Sequence, residues 1–379
     1  MRIGLKTVIR NNLFESLMGE MMKIAFDCRE LTRDKLVSLG LVLESIIEHS
    51  PYDDLVLLSD IPLDSKYLVK SYKNYYYGQK NNGGFSSLKY HLWMKKFLEK
   101  NPVDVLYQVN QYSPVSIKGV KIITQIPDLY TLAGIQKYPL KYILAFKMYI
   151  WRTVKNSALI QTVSEFSKNT IKEKFPMSNE IEVNYNGIFA PEDYELDEIP
   201  IIEGKYFLML GRMNHWKGTI RVLELFSKYF ADTEFKLVLA GIPEDKEVEK
   251  IVGEYTKEYK NIISLGYISN NDRENLYHFA QALLYASRYD GFGMPPLEAA
   301  IRGTKCLMND IPVLREVTHN TGYFVDYYGD DKKVVDMIYK VVNDDYSLTK
   351  KMETLARTTY TVKGFVENVY KAAERLCDK

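Results

Sequence analysis

The feature that most constrains the fold of this chain is a repeated alternation of short apolar runs with helical patterns. From Met22 onward, runs of four to six mostly apolar residues are separated by longer stretches in which apolar residues recur at helical spacing. Such an alternation predicts parallel sheets covered by helices on both faces. Ser71–Gly84, rich in tyrosine, asparagine and glycine, does not fit this pattern, and we expect a mobile loop there. The strand candidates are Lys23–Cys28, Leu55–Ser59, Asp104–Gln108, Val120–Gln125, Ala158–Thr162 and Ile181–Asn184, followed by Tyr206–Leu210, Phe235–Ala240, Ile262–Leu265 and Ala282–Tyr285.

These runs fall into two series, which predicts two domains. The chain has 379 residues, enough for two domains of ordinary size. The segment Asn186–Gly204 separates the series, because it is acidic, holds two prolines and lacks apolar periodicity. We therefore expect two doubly wound α/β domains at 22–190 and 205–362 with a linker at 191–204, and a ligand at the carboxyl ends of the strands. Residues 1–21 are expected to be either a leader or a short amphipathic helix that contacts a membrane or a partner.

The charge balance and the cysteines exclude several classes of protein. Fifty basic against 49 acidic side chains give a net charge of +1, so no broad positive field favours nucleic acid as a partner. The three cysteines are Cys28, Cys306 and Cys377. They are odd in number and far apart in the sequence, which is typical of a reducing compartment. Their spacing does not fit a zinc site. The best candidate for a spanning helix, Tyr142–Trp151, is interrupted by Lys147 and falls short of the ~18 apolar residues required. We therefore expect a cytoplasmic protein.

The segment YFLMLGRMNHWKG, which begins at Tyr206, carries the first candidate binding loop. A buried strand is expected to end at Gly211, where glycine permits a tight turn, and a helix follows the loop. Arg212 offers a planar fork suited to two phosphate oxygens, and Lys217 offers a mobile point charge. The loop therefore predicts a clamp for a diphosphate, with solvated surface side chains as the alternative.

The segment ASRYDGFGMPPLE, which ends at Glu298, carries the second candidate loop. Gly291 and Gly293 allow backbone N–H groups to approach an anion closely, and the following prolines predict a helix that begins at about Met294. Asp290 and Glu298 flank this turn and are suited to hold sugar and ribose hydroxyls. The alternative is a capped helix with an incidental surface acid. Because both halves of a phosphate site follow neighbouring strands, we favour the binding function.

Together these motifs resemble glycosyltransferase family four, the group 1 enzymes. An apolar strand ending in Ala240–Gly241, LGYIS at Leu265–Ser269 and LREV at Leu314–Val317 contribute to the resemblance. It covers the second domain and is fainter in the first, where PDL, QTVSEFSK and YNGI fit. The resemblance implies the GT-B fold, with two Rossmann-like domains that face a cleft and a final helix, 363–379, that packs back on the first, acceptor-side domain.

The resemblance also implies roles for individual residues. Arg212, Lys217 and Asp290 would be catalytic, since the two cations would stabilise the charge of the leaving diphosphate. Glu298 would hold the ribose hydroxyls. The predicted donor-binding residues are Gly211, Arg212, Lys217, Tyr267, Ile268, Asp290, Gly291, Phe292, Gly293, Met294 and Glu298, and the acceptor-side candidates are Asp128 and Ser164. The sequence contains no Asp-x-Asp, which agrees with a reaction that needs no metal and no cofactor beyond the nucleotide sugar.

The resulting hypothesis is a retaining, metal-independent hexosyltransferase of surface polysaccharide assembly. Its donor would be a nucleotide-diphosphate sugar, with GDP-mannose favoured, and its acceptor a glycan or a lipid-linked glycan. The helical pattern Tyr138–Lys155 mixes aromatic with basic residues, so it is either a core helix with a solvated basic face or a contact with the inner face of an anionic membrane. The alternative function is a catalytically impaired accessory or glycan-binding subunit, because Asp290 replaces the family's glutamate and Pro127 its histidine. The sequence leaves the oligomeric state open.

Overall fold

The protein is described by a computed structural model that covers residues 22–33, 38–80, 85–112, 115–136, 138–176, 179–189 and 199–378. The predicted leader at 1–21 and most of the predicted linker at 191–204 lie outside the described residues.

The first half of the chain forms a seven-stranded sheet in the order β3-β2-β1-β4-β5-β6-β7. Its strands are β1 (Ile24–Asp27), β2 (Val56–Ser59), β3 (Lys73–Tyr76), β4 (Val105–Gln108), β5 (Lys121–Gln125), β6 (Leu159–Thr162) and β7 (Glu180–Val183). The helices of this half are α1 (Ser38–Glu48), α2 (Phe85–Lys100), α3 (Leu140–Asn156) and α4 (Glu165–Lys174). The pairs β1–β2, β2–β3, β1–β4 and β4–β5 are all parallel, as the apolar runs predict.

The second half forms a six-stranded parallel sheet in the order β10-β9-β8-β11-β12-β13. Its strands are β8 (Tyr206–Leu210), β9 (Lys236–Ala240), β10 (Ile262–Gly266), β11 (Ala282–Tyr285), β12 (Cys306–Asn309) and β13 (Tyr323–Val325). Its helices are α5 (Thr219–Tyr229), α6 (Lys246–Glu258), α7 (Asn270–Phe279), α8 (Met294–Ile301), α9 (Pro312–Val317), α10 (Asp331–Asn343), α11 (Ser347–Thr359) and α12 (Val362–Cys377). The strand order reverses between β8 and β11, and ligands of doubly wound sheets bind at this switch point.

Apolar side chains cover both faces of the second sheet. Alternate residues of β8 enter different clusters: Tyr206 and Leu208 pack in one, Phe207 and Met209 in the other. Both clusters consist of buried side chains from strands and helices. This two-sided burial explains why the strand reads as a continuous apolar run.

The contacts divide the described chain into two compact units. One contains the residues up to Gln125 with Tyr149–Ile160 and the chain from Asn368 onward, and the other contains Ile126–Met148 and Gln161–Glu367. Within the first unit, the Tyr370 hydroxyl of α12 donates to the carbonyl of Ile46 at 3.0 Å. The domain boundaries expected from the sequence stay a prediction.

The loop expected at Ser71–Gly84 is wrong in its first part. Lys73–Tyr76 form β3, an edge strand that pairs in parallel with β2. Tyrosine favours strands, but an exposed edge strand lacks the apolar run from which the other strands were predicted. The helix expected from about Met294 begins at that residue. No described helix is both long enough and apolar enough to cross a membrane.

Candidate active site

Three neighbouring strands of the second sheet end at glycines with left-handed backbone angles. The φ angles of Gly211, Gly241 and Gly266, which end or follow β8, β9 and β10, are +117°, +149° and +67°. The Gly241 N–H donates to the Gly266 carbonyl at 2.7 Å. A Cβ at Gly241 would lie 1.8 Å from the carbonyl oxygen of Gly211. The turns after β8 and β9 can therefore pack side by side only because residue 241 is glycine, and the loop from Gly211 to Lys217 begins beside this contact.

The two predicted binding loops meet because β8 and β11 are paired strands. The Lys217 ammonium forms an ion pair with Oδ1 of Asp290, and both side chains are partly buried. The hydroxyl of Tyr285, the last residue of β11, donates to Oδ2 of Asp290 at 2.7 Å and accepts from Lys217 Nζ at 3.2 Å. Burial, with the Asp290 charge, raises the pKa of Tyr285, so this hydroxyl keeps its proton. Lys217, Tyr285 and Asp290 form a closed triangle of polar contacts, which we call the Lys217 cluster.

Arg212 lies beside the Lys217 cluster but is not part of its network of contacts. Its side chain is exposed, and no hydrogen bond or ion pair is recorded for it with any described residue. The guanidinium is therefore available to an anion without first breaking a contact. It shares a pocket with Lys217; the lining is Met209, Leu210, Gly211, Arg212, Met213, Lys217, Thr219, Leu284 and Tyr285.

Gly291 holds the second loop against a neighbouring segment of the same unit. A Cβ on Gly291 would lie 2.4 Å from the carbonyl oxygen of Pro127 and 3.0 Å from Cβ of Asp128. The Ser164 hydroxyl donates to the Gly291 carbonyl at 2.6 Å and also accepts the Ser167 N–H as the cap of α4. Ser164, predicted on the acceptor side, thus has two protein partners, and its contact with an acceptor stays a prediction.

Asp128, the other acceptor-side candidate, lies close to the Lys217 cluster. Burial raises its pKa, and the negative charge of Asp290 adds to this effect. The Tyr130 N–H, which donates to Asp128 Oδ1 at 3.0 Å, and the Lys217 ammonium act in the opposite direction. The structure therefore places a carboxyl group with a raised pKa close to the predicted sugar-binding acid.

The amino terminus of α8 follows Asp290 and lacks a side-chain cap. Gly293 adopts φ +94°, and a Cβ there would collide with the Leu314 side chain. Because prolines occupy the first turn, the remaining donors at this end are the N–H groups of Gly293 and Met294. Phe292 is buried and packs its ring on Tyr360, so it can contribute only backbone atoms to a ligand.

Glu298 lies one turn into α8 and is held by α7. The Tyr277 hydroxyl donates to Glu298 Oε2 at 3.1 Å, and Arg302 donates to the Glu298 carbonyl at 2.9 Å. Arg302 is itself fixed by the buried carboxylate of Glu274. This network orients the Glu298 carboxylate but does not saturate it. The other base- and ribose-side candidates follow β10, where Tyr267 is exposed and Ile268 packs on the core.

Sequence reasoning missed two tyrosines of this region and did not anticipate the ring contact that Trp216 makes. Tyr285 and Tyr277 hold the two predicted acids, and Trp216 stacks on Tyr130 with ring centroids 5.1 Å apart. Tyr285 is the final residue of an apolar strand, so its sequence context indicated only core packing. The position of Tyr285 immediately before the second loop was the one available signal.

Among the residues that the structure describes, one group of side chains could offer metal ligands. His215, Asp245 and Glu247 bring one ligand atom each within 4.8 Å of one another. Asp245 already accepts the Val248 N–H as the cap of α6, and both carboxylates are exposed or partly exposed. Nothing else at this group points to a ligand.

The chain is similar to known proteins both in sequence and in fold. Residues 197–360 match the family model of the glycosyl transferases group 1, a region that holds both candidate loops. The O-antigen chain mannosyltransferase RfbU of Salmonella typhimurium is 29% identical over 209 residues, 55% of each chain. The O-antigen chain mannosyltransferase B of Escherichia coli is 25% identical over 57% of this chain and 60% of that protein. The chain thus matches little more than half the length of these curated relatives.

The solved structures extend the likeness to nearly the whole chain. HepE of Anabaena, in complex with UDP and glucose, superposes with a TM-score of 0.73 at 15% identity, over 93% of this chain and all of that one. At this identity the likeness establishes the fold alone. It confirms the predicted GT-B architecture of two Rossmann-like sheets.

Proposed function

We propose, from the premise that residues 197–360 belong to the glycosyl transferases of group 1, that this protein transfers a hexose from a nucleotide-diphosphate donor to a glycan or lipid-linked acceptor. The observation that carries the proposal is the Lys217 cluster with Arg212 beside it, at the switch point of the second sheet. Two cations, the two N–H groups at the start of α8 and two carboxylates suit the diphosphate and the hydroxyls of one ligand.

A mannosyl donor is favoured, because the two curated relatives described above are named as O-antigen mannosyltransferases. The donor would then be GDP-mannose and the product part of a surface polysaccharide. The cysteines are free rather than paired, which supports a reducing compartment, and we propose the cytoplasmic side of a membrane as the site of action.

The proposed reaction retains the configuration of the sugar. The bond between the anomeric carbon and the diphosphate oxygen breaks, and the acceptor oxygen forms the new bond on the same face. The proton of the acceptor hydroxyl passes to the departing phosphate. Arg212 and Lys217 stabilise the charge that develops on this phosphate, which is usually the largest contribution to catalysis. Side chains and N–H groups supply this stabilisation without a metal ion in our proposal.

A panel of nucleotides tests the proposal directly. UDP, GDP, dTDP and ADP, each with and without EDTA, are added while thermal unfolding is followed. A ligand at a hundred times its dissociation constant adds ~2.7 kcal/mol to the free energy of unfolding, which raises Tm by several degrees in domains of this size. We expect a shift with one nucleotide that EDTA does not remove, followed by transfer from the matching sugar. A nucleotide shift without turnover on any acceptor would favour the accessory-subunit function, and no shift at all would refute donor binding.

The Glu298 carboxylate is expected to account for part of donor affinity. Glu298→Gln removes the charge but keeps a partner for the Tyr277 hydroxyl. A hydrogen bond to a charged group contributes about 1.5–3 kcal/mol, so the dissociation constant of the nucleotide should rise at least about ten-fold. Calorimetric titration measures this change. Glu249→Gln, on the exposed face of α6, is the control, and equal affinities in both variants would remove Glu298 from the ribose site.

Tyr285 is expected to act by positioning Asp290 and Lys217 rather than by touching the donor. Tyr285→Phe should lower kcat roughly ten-fold, the effect of losing one hydrogen bond to a charged group, while the KM for donor changes little. Tyr327→Phe is the matched control, because the Tyr327 hydroxyl is equally buried but donates to the Leu307 carbonyl away from the cluster. If Tyr285→Phe and Tyr327→Phe lower the stability equally and neither lowers kcat, the positioning role assigned to Tyr285 is wrong.

A further inference from the structure

The carboxylate of Glu316 holds the amino terminus of α4. Glu316 lies in α9, the short helix between β12 and β13. Its Oε1 accepts the N–H of Glu165 at 2.6 Å, and its Oε2 accepts the N–H of Phe166 at 2.9 Å. These are the first two N–H groups of α4, which have no carbonyl partner within the helix, and this end of a helix stabilises a negative charge. One side chain therefore satisfies two backbone donors of α4.

A tyrosine hydroxyl orients this carboxylate. Tyr185, two residues after β7, donates to Glu316 Oε1 at 3.2 Å. Burial, with the charge of Glu316, raises the pKa of Tyr185 to about 12, so the hydroxyl keeps its proton. The Tyr185 ring packs against the rings of Phe292 and Tyr360. Glu316 is thus held by a hydroxyl and by two N–H groups that come from separate elements.

The first turn of α4 also contacts the second candidate loop. The Ser164 hydroxyl, which caps α4, donates to the Gly291 carbonyl at 2.6 Å. The Ser167 hydroxyl lies 3.3 Å from the same carbonyl. The ring of Phe166 packs edge to face on that of Tyr289, with centroids 5.7 Å apart. Side chains of one helical turn therefore fix the backbone of the loop at two neighbouring residues.

These contacts form one series inside a single compact unit. Glu316 holds the amino terminus of α4, and the amino terminus of α4 holds the Gly291 carbonyl. Gly291 follows Asp290 directly and precedes the N–H groups of Gly293 and Met294 by two and three residues. A displacement of α4 would therefore reach both the predicted sugar-binding acid and the donors at the start of α8.

We propose that Glu316 is a positioning residue for the candidate active site. By fixing the amino terminus of α4, it fixes the backbone from Asp290 to Met294 in the orientation that the donor requires, without touching the donor itself. That this loop binds a nucleotide sugar rests on the proposed function, whereas the series of contacts stands on the hydrogen bonds alone. A carboxylate that stabilised only α4 would leave the loop unchanged, and this difference can be measured.

Hydrogen exchange in the chain without ligand tests the series of contacts. Glu316→Gln removes the charge and replaces one acceptor oxygen by an NH2 group, which cannot accept a backbone N–H. We expect the amides from Gly291 to Met294, followed by mass spectrometry, to exchange about five-fold faster, because residues of one network are coupled. Tyr185→Phe keeps the ring contacts and should act in the same direction with a smaller effect. This milder variant decides the question if Glu316→Gln does not fold.

A second substitution in the same series shows whether Glu316 acts through α4. Ser164→Ala removes the hydrogen bond to Gly291 and should by itself accelerate exchange of the loop about five-fold. If Glu316 acts through Ser164, the double variant should exchange no faster than the faster single variant. Independent effects would multiply to about 25-fold and would overturn the proposal.

Asp330→Asn is the matched control. Asp330 caps α10 by accepting the Lys332 N–H at 2.8 Å, and α10 packs on β12, β13 and α5. The control removes a charge at the amino terminus of another helix and should leave exchange of the loop unchanged. Equal acceleration in the control, or unchanged exchange in both Glu316→Gln and Tyr185→Phe, overturns the proposal.

Calorimetric titration extends the test to the donor site. The probe is the nucleoside diphosphate that raises the Tm of the unmodified chain, and the temperature is one at which every variant is folded. Its Kd should rise about five-fold in Glu316→Gln and stay unchanged in Asp330→Asn. Unchanged affinity in Glu316→Gln would overturn the positioning role. An unmodified chain that binds none of the nucleotides would refute the proposed function, and the exchange measurements would still decide whether Glu316 fixes the loop.

Discussion

Replacing Lys217 by alanine is expected to lower sugar transfer at least about 100-fold, the effect of removing one donor that stabilises an oxyanion. Lys217 Nζ is the centre of the Lys217 cluster, where it pairs with Asp290 and donates to the Tyr285 hydroxyl oxygen. When a diphosphate enters, the ammonium can exchange a carboxylate for the phosphate without moving far. The positive charge is therefore already in place before the bond to the leaving group breaks, and the reaction need not reorganise it.

The loss should appear in kcat more than in folding. Lys217 is partly exposed, so truncation creates no closed cavity, although Asp290 loses its counter-ion. Initial rates at saturating donor, with Tm measured on the same preparation, separate the two effects. Lys250→Ala is the control, since its surface pair with Glu254 is worth little. A Lys217→Ala protein that turns over at the rate of the control would take Lys217 out of the catalytic site.

Replacing Gly241 by alanine is expected to destabilise the second sheet by at least about 3 kcal/mol. The new Cβ would overlap the Gly211 carbonyl at 1.8 Å, and the backbone angle of +149° is one that alanine rarely adopts. Both effects destabilise the turn next to Gly211, where the loop from Gly211 to Lys217 begins, so donor binding should weaken as well. Denaturant unfolding, with Tm as a second measurement, quantifies the change.

Gly253→Ala is the control for Gly241→Ala, because the same substitution is not expected to destabilise the protein there. Gly253 lies inside α6, and a Cβ there meets no atom within 4 Å. Alanine is about 1 kcal/mol better than glycine in a helix interior, so this variant should be as stable as the parent or slightly more so. If the two substitutions changed the free energy of unfolding equally, Gly241 could not lie as close to Gly211 in the folded protein as the structure shows.

The pattern of the sequence alone was sufficient for strands β8 to β11 of the second sheet and for its two loops, whereas β12 and β13 were not predicted. Apolar runs such as Tyr206–Leu210 are buried on both faces, and this burial is what makes a parallel strand recognisable. The start of α8 at Met294 was equally predictable, because proline fixes the backbone locally. The adjacency of Arg212, Lys217 and Asp290 followed from the rule that doubly wound sheets bind ligands where neighbouring strands end.

Other features depended on distances between residues far apart in the chain. Apart from its position before the second loop, the sequence does not distinguish Tyr285, which holds Asp290, from Tyr327, which fills the core. The need for glycine at position 241 arises from a carbonyl thirty residues earlier. Local patterns fix which residues are strands, turns and helix starts, because those choices are made by neighbours in sequence. Only the tertiary structure decides which hydroxyl reaches which carboxylate and which carboxylate reaches the amino terminus of α4, because these depend on how separate elements pack.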